Sequence, residues 1–469
     1  MIKKRLLAIC IVAALAFGMI GCSKEEVVSF EENNTKGGGV TKETDEIEET
    51  KEMEAGDLHM LAHDGNGRTT TEEGMYRLVM KEIQGQTCYV MYYVDFASKQ
   101  EIVLCNDASC KHDSTKCMGV FDGSDISIAL QQHPFVYNGK LYVFEQDDPS
   151  GSVYSGTLSE QADNGGIVSE NAKLIQMNLD GTERKCVYTF PEDMILGDQV
   201  IGGKDALYFI TKEVTKTKND DGYTVMKGGK QRIRKLDIKE WKLGEGIELD
   251  KEAQVVDAIG TKLLCRRTSY PGGENPDEER NMDFEEWRTM YNNTSEIFEA
   301  ISMETGTVEK LAEVSNKNLN SVLVWNGRIY LAGEDASVQA IDVESKQVEQ
   351  VPFPGQFGVT FVEAYSDRIY CWNVDDSDEK GYFWNPETGE LNERSMKQKS
   401  AKLNMDILAE NKDGYLLLYD IDGEEASDGS YDVKKNKYGW ISKEDMYAGS
   451  YDITPIKMVS KGFDFFEEE

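Results

Sequence analysis

The chain has 469 residues, enough for several domains or one long repeat array. It carries 86 Asp and Glu against 51 Lys and Arg, a formal net charge of −35. That balance excludes sequence-independent binding to nucleic acid, which needs clustered Lys and Arg, and electrostatic docking on anionic lipid.

In chain order, Lys3, Lys4 and Arg5 form a basic start, Leu6 to Ile20 an apolar run, and Gly21 a small residue before Cys22. This is the layout of a secretory signal, and the run falls short of the ~20 residues a spanning helix needs. Met19-Ile20-Gly21-Cys22 resembles the lipobox of bacterial lipoproteins. The resemblance implies that residues 1–21 are removed and that Cys22 is lipidated. It places the protein outside the cytoplasm, anchored to the outer surface of the bacterial cell membrane. Two or more acyl chains hold a protein there stably, where one is marginal. Residues 22–57 are rich in Glu, Lys, Thr and Gly, include Gly37-Gly38-Gly39, and contain one aromatic residue, Phe30. They cannot bury enough apolar surface to offset their ordering entropy, so a disordered acidic tether is expected.

Residues 58–469 read as one array. A first unit lies at Met75 to Leu104, with strands near Tyr76–Met80, Cys88–Val94 and Glu101–Leu104. Then one phrase recurs six times: a polar turn followed by an apolar strand. The copies are Tyr137–Phe144, Gly203–Ile210, Ile259–Cys265, Trp325–Leu331, Tyr365–Trp372 and Asn411–Tyr419. Each extends into a four-strand grammar. In Gln132 to Phe190 a strand turns at Asn138-Gly139 into Lys140–Glu145. A third strand, Ala172–Asn178, turns at Asp180-Gly181 into Lys185–Phe190. The expectation is an all-β β-propeller of about seven four-stranded blades, with its long loops on one face. The pattern resembles extracytoplasmic bacterial propellers of the TolB-like and YWTD-like (LDL-receptor-related) kinds, which implies the fold and no particular activity.

After the first unit comes Cys105-x4-Cys110-x-His112-x4-Cys117. Three thiolates and an imidazole complete a tetrahedral zinc site, although the spacing is not that of a standard zinc finger. One disulfide with a spare thiol competes outside the cytoplasm, and three free thiols are the third reading. The blade grammar puts this cluster in the crossover to the second blade. Cys88, Cys186, Cys265 and Cys371 occupy strand positions and read as ordinary buried thiols.

The long insertions are Glu145–Asn171, Lys212–Lys230, Thr268–Ser295, Val374–Lys380 and Asp420–Lys437. Every one falls between a second and a third strand, so all should emerge on one face, together with the crossovers. Most are acidic, and they present Tyr154, Tyr223, Tyr270, Trp287 and Tyr431. Aromatic rings among carboxylates suit sugars, cationic groups or a basic partner surface. In the third insertion Asn275-Pro276-x-Glu278 reads as a helix start, with Phe284, Trp287 and Tyr291 on one side.

With four His residues and no Gly-x-Ser-x-Gly, His-Glu-x-x-His or phosphate loop, no catalytic motif is present. The reading is a lipid-anchored surface propeller that binds glycan, peptide or an envelope protein through its inserted loops. The alternative is a carbohydrate-active hydrolase or lyase whose acid and base are loop carboxylates such as Glu278, Asp375 and Asp376.

Overall fold

Each copy of the apolar phrase forms the first turn and second strand of an antiparallel sheet. The computed structural model describes residues 58–62, 67–122, 134–145, 167–169, 172–191, 193–218, 224–250, 253–273, 283–317, 319–333, 335–374, 380–425, 431–463 and 466–467. The leader, Cys22 and the tether lie outside the described residues. Among the described residues, seven sheets follow one another, each built on an antiparallel meander in chain order; five have four strands, and the first and third carry additional short strands, six and seven in all. The second sheet is typical: Phe135–Tyr137, Lys140–Glu145, Lys173–Asn178 and Lys185–Thr189. Its first turn is Asn138-Gly139, with both residues at positive φ, as a two-residue hairpin loop requires.

The second strands are apolar throughout because they are covered on both sides. Side chains alternate across a strand with period two. Leu263 and Cys265 therefore enter a cluster with Ile201 and Ile233 of the third sheet. Leu264, between them, packs with Ile329 and Ile341 of the fifth. The same division separates Tyr415 and Leu417, against the sixth sheet, from Leu416 and Leu418. Similar clusters join the first sheet to the second, the second to the third and the fifth to the sixth. The series closes on itself: Leu416 and Tyr438 of the seventh sheet pack with Met75 and Val94 of the first. Sheets packed face to face in a ring are the arrangement of a β-propeller.

The ends of the array attach in two places. His59–Ala62 pairs antiparallel with Val200–Gly202 on the first strand of the third sheet. Near the other end, Phe466–Glu467 runs parallel to Met80–Lys81 of the first sheet. Arg68–Thr70 supplies the edge of that sheet next to Met75–Arg77. A buried ion pair ties the two ends of the array together. Arg77 Nη2 meets Glu101 Oε1 at 2.7 Å, with side chains 1% and 0% exposed. Arg77 also donates to the Phe463 carbonyl at 2.7 Å and to the Ser460 hydroxyl. Glu101 accepts the backbone amides of Val459 and Ser460 at 3.0 and 2.9 Å, and the Ser460 hydroxyl at 2.6 Å. The guanidinium lies over the Tyr92 and Tyr438 rings. Both charges of this pair thus have partners, without which each would cost several kcal/mol.

Two expected loops are strands. Ala206–Lys218 and Thr224–Asp237 pair along their whole length, so Lys212–Lys230 is largely a ladder projecting beyond the sheet. Gly414–Glu425 and Tyr431–Ser442 do the same over Asp420–Lys437. A two-stranded ladder pairs half of its backbone groups across the strands and leaves the outward ones to solvent, so charged residues are no bar to it.

Candidate metal centre and the inserted end

The cysteine cluster lies in the outer edge of the first sheet, and the expected crossover position is corrected. Gln100–Val103 pairs with Tyr92–Asp95, and Val120–Asp122 pairs with Cys88–Val90 on the same strand. Both ends of the intervening segment bond to one residue: Leu104 N–H donates to Met91 O, and Met91 N–H to Gly119 O, each at 2.8 Å. Residues 104–119 are therefore an excursion from the middle of the outer strand. The chain returns to finish that strand before it crosses to the second sheet.

Within the excursion, turns close from Cys110 N–H to Asp107 O and from Cys117 N–H to Ser114 O. Asp107 accepts the amide and hydroxyl of Ser109, which hold its carboxyl below the usual range. These turns bring one donor atom each from Cys105, Cys110, His112 and Cys117 within 4.8 Å of one another. His112 Nδ1 is 3.2 Å from Cys117 Sγ, and the His112 amide donates to Cys110 Sγ at 3.4 Å. His112 itself has φ +57°, a left-handed backbone uncommon for a residue other than Gly. Cys105, Cys110 and Cys117 pack over Val79, Ile83, Cys88 and Val90. Burial pushes the Cys117 thiol up to about 12. All three cysteines have free sulfurs.

Among the other cysteines, Cys88, Cys265 and Cys371 are buried as expected. Burial raises Cys88 and pushes Cys265 and Cys371 up to about 12. Cys186 is exposed, contrary to expectation. It sits on Lys185–Thr189, which among the described residues is the outermost strand of the second sheet.

All five insertions do join the second strand of a sheet to the third. Strands alternate in direction, so they share one end of the array. The first and fifth sheets have short connections there, at Gln84-Gly85 and at residues 334–337. The expected ligand contacts divide. Tyr154 and Tyr223 lie outside the described residues, as do Glu278, Asp375 and Asp376. Tyr270 is half-buried. The helix α1 spans Phe284–Tyr291 and is capped by Asp283, with Glu286 returning the bond as a capping box. The start expected at 275–278 lies outside the described residues. Trp287 is exposed and stacked on Tyr291 with centroids 5.2 Å apart.

Tyr431 is half-buried. It heads a strand, packs on the cluster between the seventh and first sheets, and donates its hydroxyl to Ser400 O at 3.1 Å. One aromatic residue at this end escaped the sequence reading. Trp372 is 38% exposed, next to the insertion that begins at Val374. Its Nε1 donates to Tyr370 Oη, which also accepts from the buried Arg394. The signal was alternation: in Tyr370-Cys371-Trp372 the two rings share a face and Cys371 takes the other.

No protein-family model matches the chain, and no curated protein matches it. Among solved structures it is similar to an acylaminoacyl peptidase in complex with Z-Gly-Gly-Phe-chloromethyl ketone, at 10% identity and TM-score 0.46 over 81% of this chain and 51% of that one. The chain spans about half the length of that peptidase. It is also similar to the β-propeller domain of the Trilobed protease from Pyrococcus furiosus, at 10% identity and TM-score 0.44 over 85% and 98%. TolB from Acinetobacter baumannii is a third, at 12% identity and TM-score 0.32 over 79% and 77%.

Proposed function

We propose that the chain is a lipid-anchored, extracytoplasmic propeller of seven blades that binds a glycan, a peptide or an envelope protein at its inserted end. The observation that supports this reading is positional. Five of the seven sheets carry inserted length between their second and third strands, two of them as paired ladders, and all five insertions open at the same end of the sheets. Length variation confined to one end is what a repeat scaffold carrying a binding surface accumulates. Trp372 and Trp287 add exposed indole surface to that end. The lipobox-like junction supplies the anchor, and residues 22–57 supply the reach.

The experiment has two arms. Cells expressing the full chain are fed a clickable palmitate, and the protein is followed through membrane fractionation. The wild type should carry the label and sediment with membranes, and Cys22→Ser should lose both. Unlabelled wild-type protein overturns the anchor. The leaderless protein is then tested on glycan and peptide arrays. Retention weakened about tenfold by Trp372→Ala, about 1.4 kcal/mol and within what an aromatic contact contributes, supports the inserted end as the binding surface. Turnover of a retained glycan would instead favour the hydrolase or lyase alternative.

A further inference from the structure

We propose that Cys105, Cys110, His112 and Cys117 bind one zinc ion, which pins the 104–119 excursion to the outer edge of the first sheet. This inference stands apart from the ligand-binding reading and uses none of its residues.

The donor set selects the ion. Three thiolate sulfurs and one imidazole nitrogen are soft to borderline ligands, and four such donors close a tetrahedron around zinc. Zinc–sulfur bonds of about 2.3 Å and zinc–nitrogen bonds of about 2.0 Å put neighbouring donors about 3.5–3.8 Å apart. The four donor atoms already lie within 4.8 Å of one another. Drawing them in by about an ångström completes the shell. All four positions are then filled by protein, which makes the site structural and leaves no place for a catalytic water.

A disulfide explains less of the geometry. It would use two of the three sulfurs and give His112 no task. Yet His112 takes a left-handed backbone at φ +57°, which accompanies Nδ1 at 3.2 Å from Cys117 Sγ and its amide on Cys110 Sγ. Amide-to-sulfur bonds of this kind orient a ligating thiolate and stabilise its charge. The excursion also needs a staple. Among the described residues, 105–118 contributes no strand, and its backbone bonds to the sheet only near its two ends, from Cys105 to Val103 and from Val120 to Cys117, beside the Leu104 and Gly119 bonds to Met91. A metal joining Cys105 near one end to Cys117 near the other closes that loop across its base, which limits the disorder open to it.

The test is the metal content of the full chain, extracted from membranes in mild detergent and purified without chelator. Elemental mass spectrometry should find about one zinc per chain. Cys110→Ser and His112→Ala should each lose most of the zinc. His112→Cys, which keeps a fourth soft ligand, should retain it, and Cys186→Ser, the exposed thiol on the second sheet, should change nothing. Reloading the stripped protein with cobalt(II) should give thiolate charge-transfer and tetrahedral ligand-field bands in the wild type and weaker ones in Cys110→Ser. Wild-type protein without zinc, zinc content indifferent to Cys110→Ser, or a disulfide joining any two of Cys105, Cys110 and Cys117 would overturn the proposal. An equivalent of iron or copper in place of zinc would overturn the choice of ion. The wild-type measurement decides the matter even if a variant fails to fold.

Discussion

Removing the Arg77 guanidinium leaves the Glu101 carboxylate buried with only Ser460 and two backbone amides to satisfy it. Breaking one side of a buried, hydrogen-bonded pair costs about 3–5 kcal/mol. Arg77→Ala should therefore lower the urea midpoint strongly, and the double variant with Glu101→Ala should cost less than the sum of the two singles. Glu424→Gln, which breaks an exposed pair with Lys434, should shift the midpoint too little to detect. A second residue carries a pH dependence. Burial alone would raise the Asp420 carboxyl, but hydrogen bonds from Ser400 and the Ile421 amide, with Lys437 nearby, outweigh it and leave Asp420 lowered. Its folded value thus lies below the unfolded value of about 3.9. The stabilisation is present above that value and is lost as pH falls through the folded one. Asp420→Asn should destabilise the protein at neutral pH, and the difference from wild type should vanish in strong acid when thermal unfolding is followed across pH. A persistent gap at low pH would assign the effect to shape.

The strand grammar was legible at the scale of elements because the second strand of each sheet is sandwiched. A strand covered on both faces must be apolar at consecutive positions, and Tyr-Leu-Leu-Leu-Tyr at 415–419 or Leu-Tyr-Phe-Ile at 207–210 announces this without help from its neighbours. The paired extensions at Lys212–Lys230 and Asp420–Lys437 were not legible, because their apolar residues are few and scattered among charges: over the described residues of 420–437 only Ile421, Tyr431 and Val433 reach the cluster between the seventh and first sheets. The four cysteine-cluster residues were legible by type and spacing, but their position was not. Val120–Asp122 is a three-residue strand, too short to show that the outer strand resumes after the excursion. One turn makes the packing of that excursion testable. Gly181 has φ +82°, and a Cβ there would sit 2.8 Å from the Leu104 carbonyl oxygen. Gly85 has φ +77° with nothing within 4 Å. Left-handed backbone alone costs a non-glycine residue about 1–2 kcal/mol. Gly85→Ala should pay that cost only. Gly181→Ala should exceed it in the same denaturant series, and equal costs would mean that Leu104 moves aside freely.

For the molecule as a whole, seven sheets joined face to face leave two ends unlike each other. One carries the tight turns such as Asn138-Gly139 and Asp180-Gly181, and the other carries every long connection between second and third strands. The direct measurement is ligand retention by two trimmed proteins. In one, the ladder tips at residues 214–228 and 426–430 are each shortened to a two-residue turn, which leaves Tyr431 and Val433 on their cluster. In the other, the opposite end is altered by exposed substitutions at Lys140 and Glu183. Binding at the inserted end predicts that trimming removes retention of the array-identified glycan or peptide while circular dichroism and thermal unfolding stay those of the parent, and that the opposite-end variant binds as before. Retention that survives trimming and falls with the opposite-end substitutions would contradict it.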